Sequence, residues 1–183
     1  MRRRITLFKL VAFACCLTGV GGGEARASGL VPTGVFVQAG LGDQSTDAYL
    51  AGLTWTLPWR YNFGFGSFGA YFGAAIGRWH TNGPEESTAW PTQISATPTL
   101  RFSPHVASNW FAEIGVGAND IVPLFKSGHK RFSTEFNFGD HVGIGREFGP
   151  MEVSLRVEHF SNADISHPNP GENFVQLRYA YNF

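Results

Sequence analysis

The chain has 183 residues and no formal net charge; 43% of it is hydrophobic and 15% aromatic, but only 15% is Asp, Glu, Lys or Arg. That charged share lies well below the ~25% of an average soluble domain, which argues against a disordered chain and against a nucleic-acid binder with its basic surplus. No long apolar run follows the N-terminus, so a helical membrane bundle is excluded, while 17 Phe and 23 Gly suit a β-rich domain.

Met1-Arg2-Arg3-Arg4 forms a basic start, Ile5 to Val20 is mostly apolar, and Ala25-Arg26-Ala27 is a small-x-small cleavage pattern. Residues 1–27 are therefore expected to be a secretory signal peptide, and 28–183 the mature domain. The leader holds Arg2, Arg3, Arg4, Lys9 and Arg26 against Glu24, so the remainder carries a net charge of −4. Both cysteines, Cys15 and Cys16, lie in the leader, and the exported part would fold without a disulfide.

From Thr33 onward apolar residues recur at every second position, the period of a strand. Val35 to Leu41 is the first stripe, Tyr49 to Leu57 the second and Phe68 to Ile76 the third. Trp90 to Phe102, Trp110 to Val116 and Phe132 to Ile144 follow, then Val153 to Val157 and Val175 to Phe183. Eight strands of about ten residues match the ~9–11 residues a tilted strand needs to cross a bilayer. The opposite faces mix Gly, Gln, Asn, Ser and Thr with Arg101, Glu113, Glu135, Arg156, Glu158 and Arg178. Small residues and mutually paired charges suit the interior of a small barrel. His141 belongs to that polar face, and Trp55, Trp59, Trp90 and Trp110 suit interfacial girdles. The expected fold is all-β, an eight-stranded antiparallel outer-membrane β-barrel. Its connections at 42–46, 81–88, 119–131 and 162–171 would face outward, with both termini toward the periplasm. A soluble periplasmic sandwich is the alternative.

One segment is dense in polar chemistry, from Arg156 to Phe174. His159 and Ser161 are two apart, so on a strand they share a face with Val153, Leu155 and Val157. In a barrel that is the lipid face, where a polar pair is costly unless it acts on something in the membrane. A Ser beside a His is the start of a hydrolytic site, because the imidazole can take the hydroxyl proton and return it to the leaving group. A third group should orient the ring. Glu172 opens the next strand and comes near it. The alternative is that His159 and Ser161 are simply interfacial residues at a strand end. The remaining histidines lack metal-ligand spacing, so no metal or other cofactor is expected. Lys126, His129, Lys130 and Arg131 offer a basic cluster that could attract phosphates, or a solvated loop.

The run His159-Phe160-Ser161-Asn162-Ala163, then Pro168-Asn169-Pro170-Gly171 and a terminal strand, resembles the signature of the PagL-type lipid A 3-O-deacylases. The resemblance is specific over residues 156–183 and extends upstream only as architecture and length. It implies an eight-stranded outer-membrane barrel that hydrolyses the ester at the 3-position of lipid A and releases a 3-hydroxyacyl chain. It further implies Ser161 as nucleophile, His159 as general base and Asn162 in the oxyanion hole. The family's acid falls one position beyond Glu172, where this sequence has Asn173. Strand parity puts Asn173 outward and Glu172 inward, so either a bulge or loop end re-aims Glu172, or Asn173 orients His159 as an amide. Glu172 is preferred, with Asp164 a lesser candidate. The partners implied are lipid A or lipopolysaccharide as substrate and the surrounding outer-membrane lipids, with a homodimer allowed and no nucleic acid. The active site would face the outer leaflet. The rival functions are a non-catalytic barrel for structure or adhesion, and a barrel phospholipase.

Overall fold

The computed structural model describes residues 31–43, 46–81, 90–107, 109–128 and 130–183; the expected leader and His129 lie outside them. The strands are β1 (Gly34–Gly42), β2 (Thr46–Phe63), β3 (Gly66–Thr81), β4 (Thr92–Pro104), β5 (Trp110–Val122), β6 (Phe136–Phe148), β7 (Met151–Ser161) and β8 (Glu172–Asn182). Each pairs with the next, and β1 closes antiparallel on β8 to make a barrel without edges. This is the eight-stranded antiparallel architecture that the period-2 alternation predicts. β2 and β3 run to 18 and 16 residues, longer than expected. β2 passes through a register shift between Thr56 and Arg60, around Pro58, which has no N–H to give to the ladder. Beyond it the hairpin end is held by rings: Phe63 lies 4.6 Å from Phe65 and 5.4 Å from Phe68.

The polarity of the barrel is inverted relative to a soluble protein. In β7, Val153, Leu155 and Val157 are exposed, while Glu152, Ser154, Arg156 and Glu158 are buried. In β8, Val175, Leu177, Tyr179 and Tyr181 point outward, and Gln176 and Arg178 point inward. An outer apolar band is what lipid solvates and water does not, which decides against the soluble sandwich. Trp59, Trp90 and Trp110 are exposed, as girdle residues should be.

The interior is filled rather than open. Glu113 accepts hydrogen bonds from Arg156 Nε at 2.7 Å, Tyr71 OH at 3.1 Å and Arg101 Nη2 at 3.2 Å. Arg101 also forks onto both oxygens of Glu152 at 2.8 Å each. His141 is buried beside this network, as its face predicts. Gly143 makes room for Arg156, since a Cβ there would lie 2.9 Å from Arg156 Cγ. Among the described residues, an interior cavity of about 30 Å³ is lined by Gln38, Tyr71, His141, Arg156 and Arg178 among others. That holds about two waters and no lipid, so a substrate must approach from outside the wall.

The end opposite the termini is closed by an aromatic plug. Trp79 lies 4.8 Å from Phe174, 5.0 Å from Phe160 and 5.1 Å from Phe125, ring centroid to centroid. Phe132, expected on the outer stripe of the sixth strand, belongs to this plug instead. β6 begins only at Phe136, and the preceding connection turns back so that the Phe132 N–H donates to the Phe125 carbonyl at 3.1 Å. Burying Phe125 and Phe132 over Trp79 removes apolar surface from water at the barrel mouth. Glu135, expected inside, lies in the same connection and is exposed.

Candidate active site

β7 ends at Ser161, β8 begins at Glu172, and residues 162–171 join them just beyond the plug. Phe160 is fully buried in the plug and anchors the end of β7 from inside. Alternation then turns its neighbours outward: His159 is exposed and Ser161 half-buried, on the face that carries Val153, Leu155 and Val157. A reactive pair on the lipid side of the wall is thus a direct result of strand parity.

The β7–β8 register runs unbroken to the site, with His159 opposite Asn173 and Phe160 opposite Glu172. There is no bulge to re-aim Glu172. Its side chain goes inside, fully buried, with Oε2 3.0 Å from Lys130 Nζ. Glu172, preferred from the sequence, does not reach the imidazole; the side chain set against His159 is that of Asn173, with its Oδ1 2.7 Å from His159 Nδ1. Asn173 Nδ2 donates to Asp43 Oδ2 at 3.0 Å, and Lys130 Nζ donates to the same Asp43 oxygen at 2.8 Å. A carboxylate only accepts, so the NH₂ of Asn173 must face Asp43 and its carbonyl oxygen must face His159. In the neutral ring this puts the proton on Nδ1 and the lone pair on Nε2.

Two loop charges stand behind Asn173. Hydrogen bonds from Lys130 and Asn173 hold the Asp43 carboxyl below its ordinary range. Burial pulls the Lys130 ammonium down, but its bonds to Asp43 and Glu172 outweigh that and hold it above its ordinary range. A lowered carboxyl pKa means that the contribution of Asp43 is present above its unfolded value and is lost only as pH falls through the folded one. The Asp43–Lys130 contact is therefore expected to persist from neutral pH down past the ordinary carboxylate range. A pH titration of the Asp43 carboxyl carbon by NMR would check this; a midpoint above the ordinary Asp value would contradict it.

Asn162 is buried and tightly used. Its Nδ2 donates to Ser133 Oγ at 3.0 Å and to the Ser166 carbonyl at 2.9 Å, and its backbone N–H donates to Asn169 Oδ1 at 3.1 Å. Asp164 accepts from Asn169 Nδ2 at 3.0 Å, so it braces the loop rather than the imidazole. Ala163 and Asp164 both adopt positive φ, 52° and 58°, which turns the chain sharply after Asn162. The basic cluster divides. Lys130 is committed to Asp43 and Glu172, while Lys126 and Arg131 face each other across an isolated bridge.

Gly171 closes the loop against the imidazole. Its φ is +65°, and a Cβ there would lie 2.6 Å from His159 Cε1 and 3.2 Å from Nε2. Gly171→Ala therefore combines a strained backbone with a ring that must move. Lipid A turnover by the purified variant is expected to fall about a hundredfold, the scale of a ~1 Å misplacement of a catalytic group. Wild-type turnover would show that the close approach does not matter.

Asp43, Lys130 and Gly171 are parts of the site that residue patterns did not single out for it. Gly171 stands there only as the end of the loop run that carries the resemblance, and Lys130 only as a loop cation. Asp43 lies 116 residues before His159, and only the β1–β8 closure, with Gly42 opposite Phe174, brings it to Asn173.

Comparisons with known proteins give the family and the fold. A family model described as lipid A 3-O-deacylase (PagL) matches residues 47–182. The chain is 36% identical over 156 residues to a lipid A deacylase PagL of Bordetella bronchiseptica, covering 82% of this chain and 83% of that protein. It also superposes on the crystal structure of the outer membrane enzyme PagL with a TM-score of 0.74 at 25% identity, covering 82% of this chain and 99% of the other. On the family match and the extent of these likenesses, the chain belongs to the lipid A 3-O-deacylase (PagL) family.

Proposed function

We propose that this outer-membrane ester hydrolase removes the 3-O-linked hydroxyacyl chain of lipid A with Ser161 as nucleophile and His159 as general base. The observation that carries the mechanism is the outward-facing imidazole whose Nδ1 is held by Asn173 Oδ1 at 2.7 Å, two residues from Ser161 on the same strand face. With Nδ1 protonated, Nε2 accepts the Ser161 proton as Oγ attacks the ester carbonyl. The tetrahedral intermediate collapses by breaking the bond to the 3-position oxygen, which leaves as an alcohol with the proton from His159. Water, deprotonated by the same Nε2, then cleaves the acyl-serine and frees the 3-hydroxy acid.

Asn173 takes the third role as an amide orienter, as Asn does in Cys-His-Asn sites. Asn162 is the candidate oxyanion donor. Its donors are spoken for by Ser133, Ser166 and Asn169, so it must release one of them as the oxyanion forms. The substrate is itself a membrane lipid, which explains a site on the wall rather than in a cleft. The site lies at the end of the barrel opposite the termini. With the termini in the periplasm, it faces the outer leaflet. No second copy is needed, because His159, Ser161, Asn162 and Asn173 all come from one chain.

The purified barrel should release 3-hydroxy acid from lipid A and leave phospholipid intact. Fatty acid from phospholipid would favour a barrel phospholipase, and no release from either would favour the non-catalytic reading. Within the site, Asn173→Ala is expected to lower turnover on lipid A more than Glu172→Ala, provided both barrels fold; the reverse order would return the orienting role to Glu172.

A further inference from the structure

The amide at position 173 poses a problem that a carboxylate would not. A carboxylate can only accept from Nδ1–H, but an amide can turn either end toward the ring. Presenting NH₂ to Nδ1 would force the proton onto Nε2, the nitrogen that the proposed mechanism needs as a base. Something must therefore decide which way Asn173 points. The β1–β8 register sets Gly42 opposite Phe174, so the next residue out on each chain, Asp43 and Asn173, meet. Asp43 Oδ2 takes the Asn173 NH₂ at 3.0 Å, and Lys130 Nζ clamps the same oxygen at 2.8 Å while reaching Glu172 Oε2 at 3.0 Å. Lys130 comes from the β5–β6 connection, so three separate elements converge behind one imidazole.

We infer that Asp43, held by Lys130, is a positioning residue of the reaction: it fixes the orientation of Asn173 and through it the tautomer of His159. The negative charge that a triad acid places directly on the imidazole is set back by one amide. It polarises the Asn173 carbonyl toward the ring as the imidazolium forms. Glu172, turned inward by parity, contributes only by holding the ammonium of Lys130. This inference rests on the Ser161–His159 reading and is tested apart from it.

The test uses the full refolded barrel, with folding checked by its altered migration on unheated gels. Asp43→Asn removes the charge and lets either amide turn. Its kcat on lipid A is expected to fall on the order of tenfold to a hundredfold, the usual cost of removing an outer partner of an oriented imidazole, while KM changes little. Nitrogen NMR of the His159 ring should show the Nδ1–H tautomer in the wild type and a mixture in Asp43→Asn, a change that a merely structural role would not produce. Lys130→Met should lower kcat in the same sense. Asn173→Asp alone sets two carboxylates together and should also be impaired. Exchanging amide and carboxylate with Asp43→Asn and Asn173→Asp puts an NH₂ where Lys130 Nζ now finds an oxygen, so Lys130→Met is added; this triple variant keeps each donor facing an acceptor and should recover most of the lost kcat. A folded triple variant no better than the worst single would overturn the inference. So would wild-type kcat in both folded Asp43→Asn and Lys130→Met while Ser161→Ala is inactive. Activity retained in Ser161→Ala would instead overturn the underlying mechanism.

Discussion

Ser161→Ala is expected to reduce turnover of lipid A by at least about 10³-fold, and His159→Asn by a similar factor. The two act as one unit: without the hydroxyl there is nothing for the imidazole to deprotonate, and without the imidazole the hydroxyl is a weak nucleophile at neutral pH. The double variant should therefore be no worse than the worse single, because the losses are not additive. Single-turnover assays of the three refolded proteins would check this. Losses that multiply in the double variant would mean that Ser161 and His159 contribute independently, as two interfacial residues would. Both side chains lie on the outer face of β7. Neither variant removes a contact of the plug or of the interior network, so folding should be retained.

The second large effect is on stability and comes from inside the barrel. Glu113→Ala is expected to destabilise the folded barrel by about 3–5 kcal/mol, the cost of removing one partner from a buried ionic cluster. Glu113 stands between Arg101, Arg156 and Tyr71, with Arg156 Nη2 2.6 Å from its Oε1. Arg101 retains Glu152 after the loss, but Arg156 loses its hydrogen-bonded carboxylate and keeps hydrogen bonds to Tyr71 OH and, at longer range, to Gln38. Deep in a membrane wall the freed guanidinium has little water to turn to. Denaturant unfolding in detergent, followed by tryptophan fluorescence, measures the difference. An unchanged midpoint would show that the interior re-pairs around the loss.

Residue patterns made much of this legible, and the reasons differ from place to place. Strand parity is local, so Val153, Leu155, Val157, His159 and Ser161 could be assigned one face from spacing, and the structure gives them that face. The same parity placed Asn173 outward and Glu172 inward. Preferring Glu172 meant giving greater weight to the carboxylate chemistry of a triad than to geometry, and the unbroken register shows parity to be the better guide. Phe132 was misread because an apolar-alternating run looks the same whether it faces lipid or folds back as a plug. Only the rings of Trp79 and Phe125 at the mouth, against which Phe132 packs, explain why it turns inward. The Asp43–Lys130 clamp was not legible at all. It depends on barrel closure and a loop conformation, and no spacing along the chain encodes either.

The proposed hydrolysis is tested most directly by what happens to lipid A in a membrane that holds this barrel. Lipid A from cells expressing the wild type and Ser161→Ala at equal outer-membrane levels should be compared by mass spectrometry. The wild type should yield lipid A lacking one hydroxyacyl chain, with fragmentation placing the loss at the 3-position, and Ser161→Ala should leave it intact. Loss of the chain in Ser161→Ala, or unchanged lipid A in cells making a folded wild-type barrel, would contradict it.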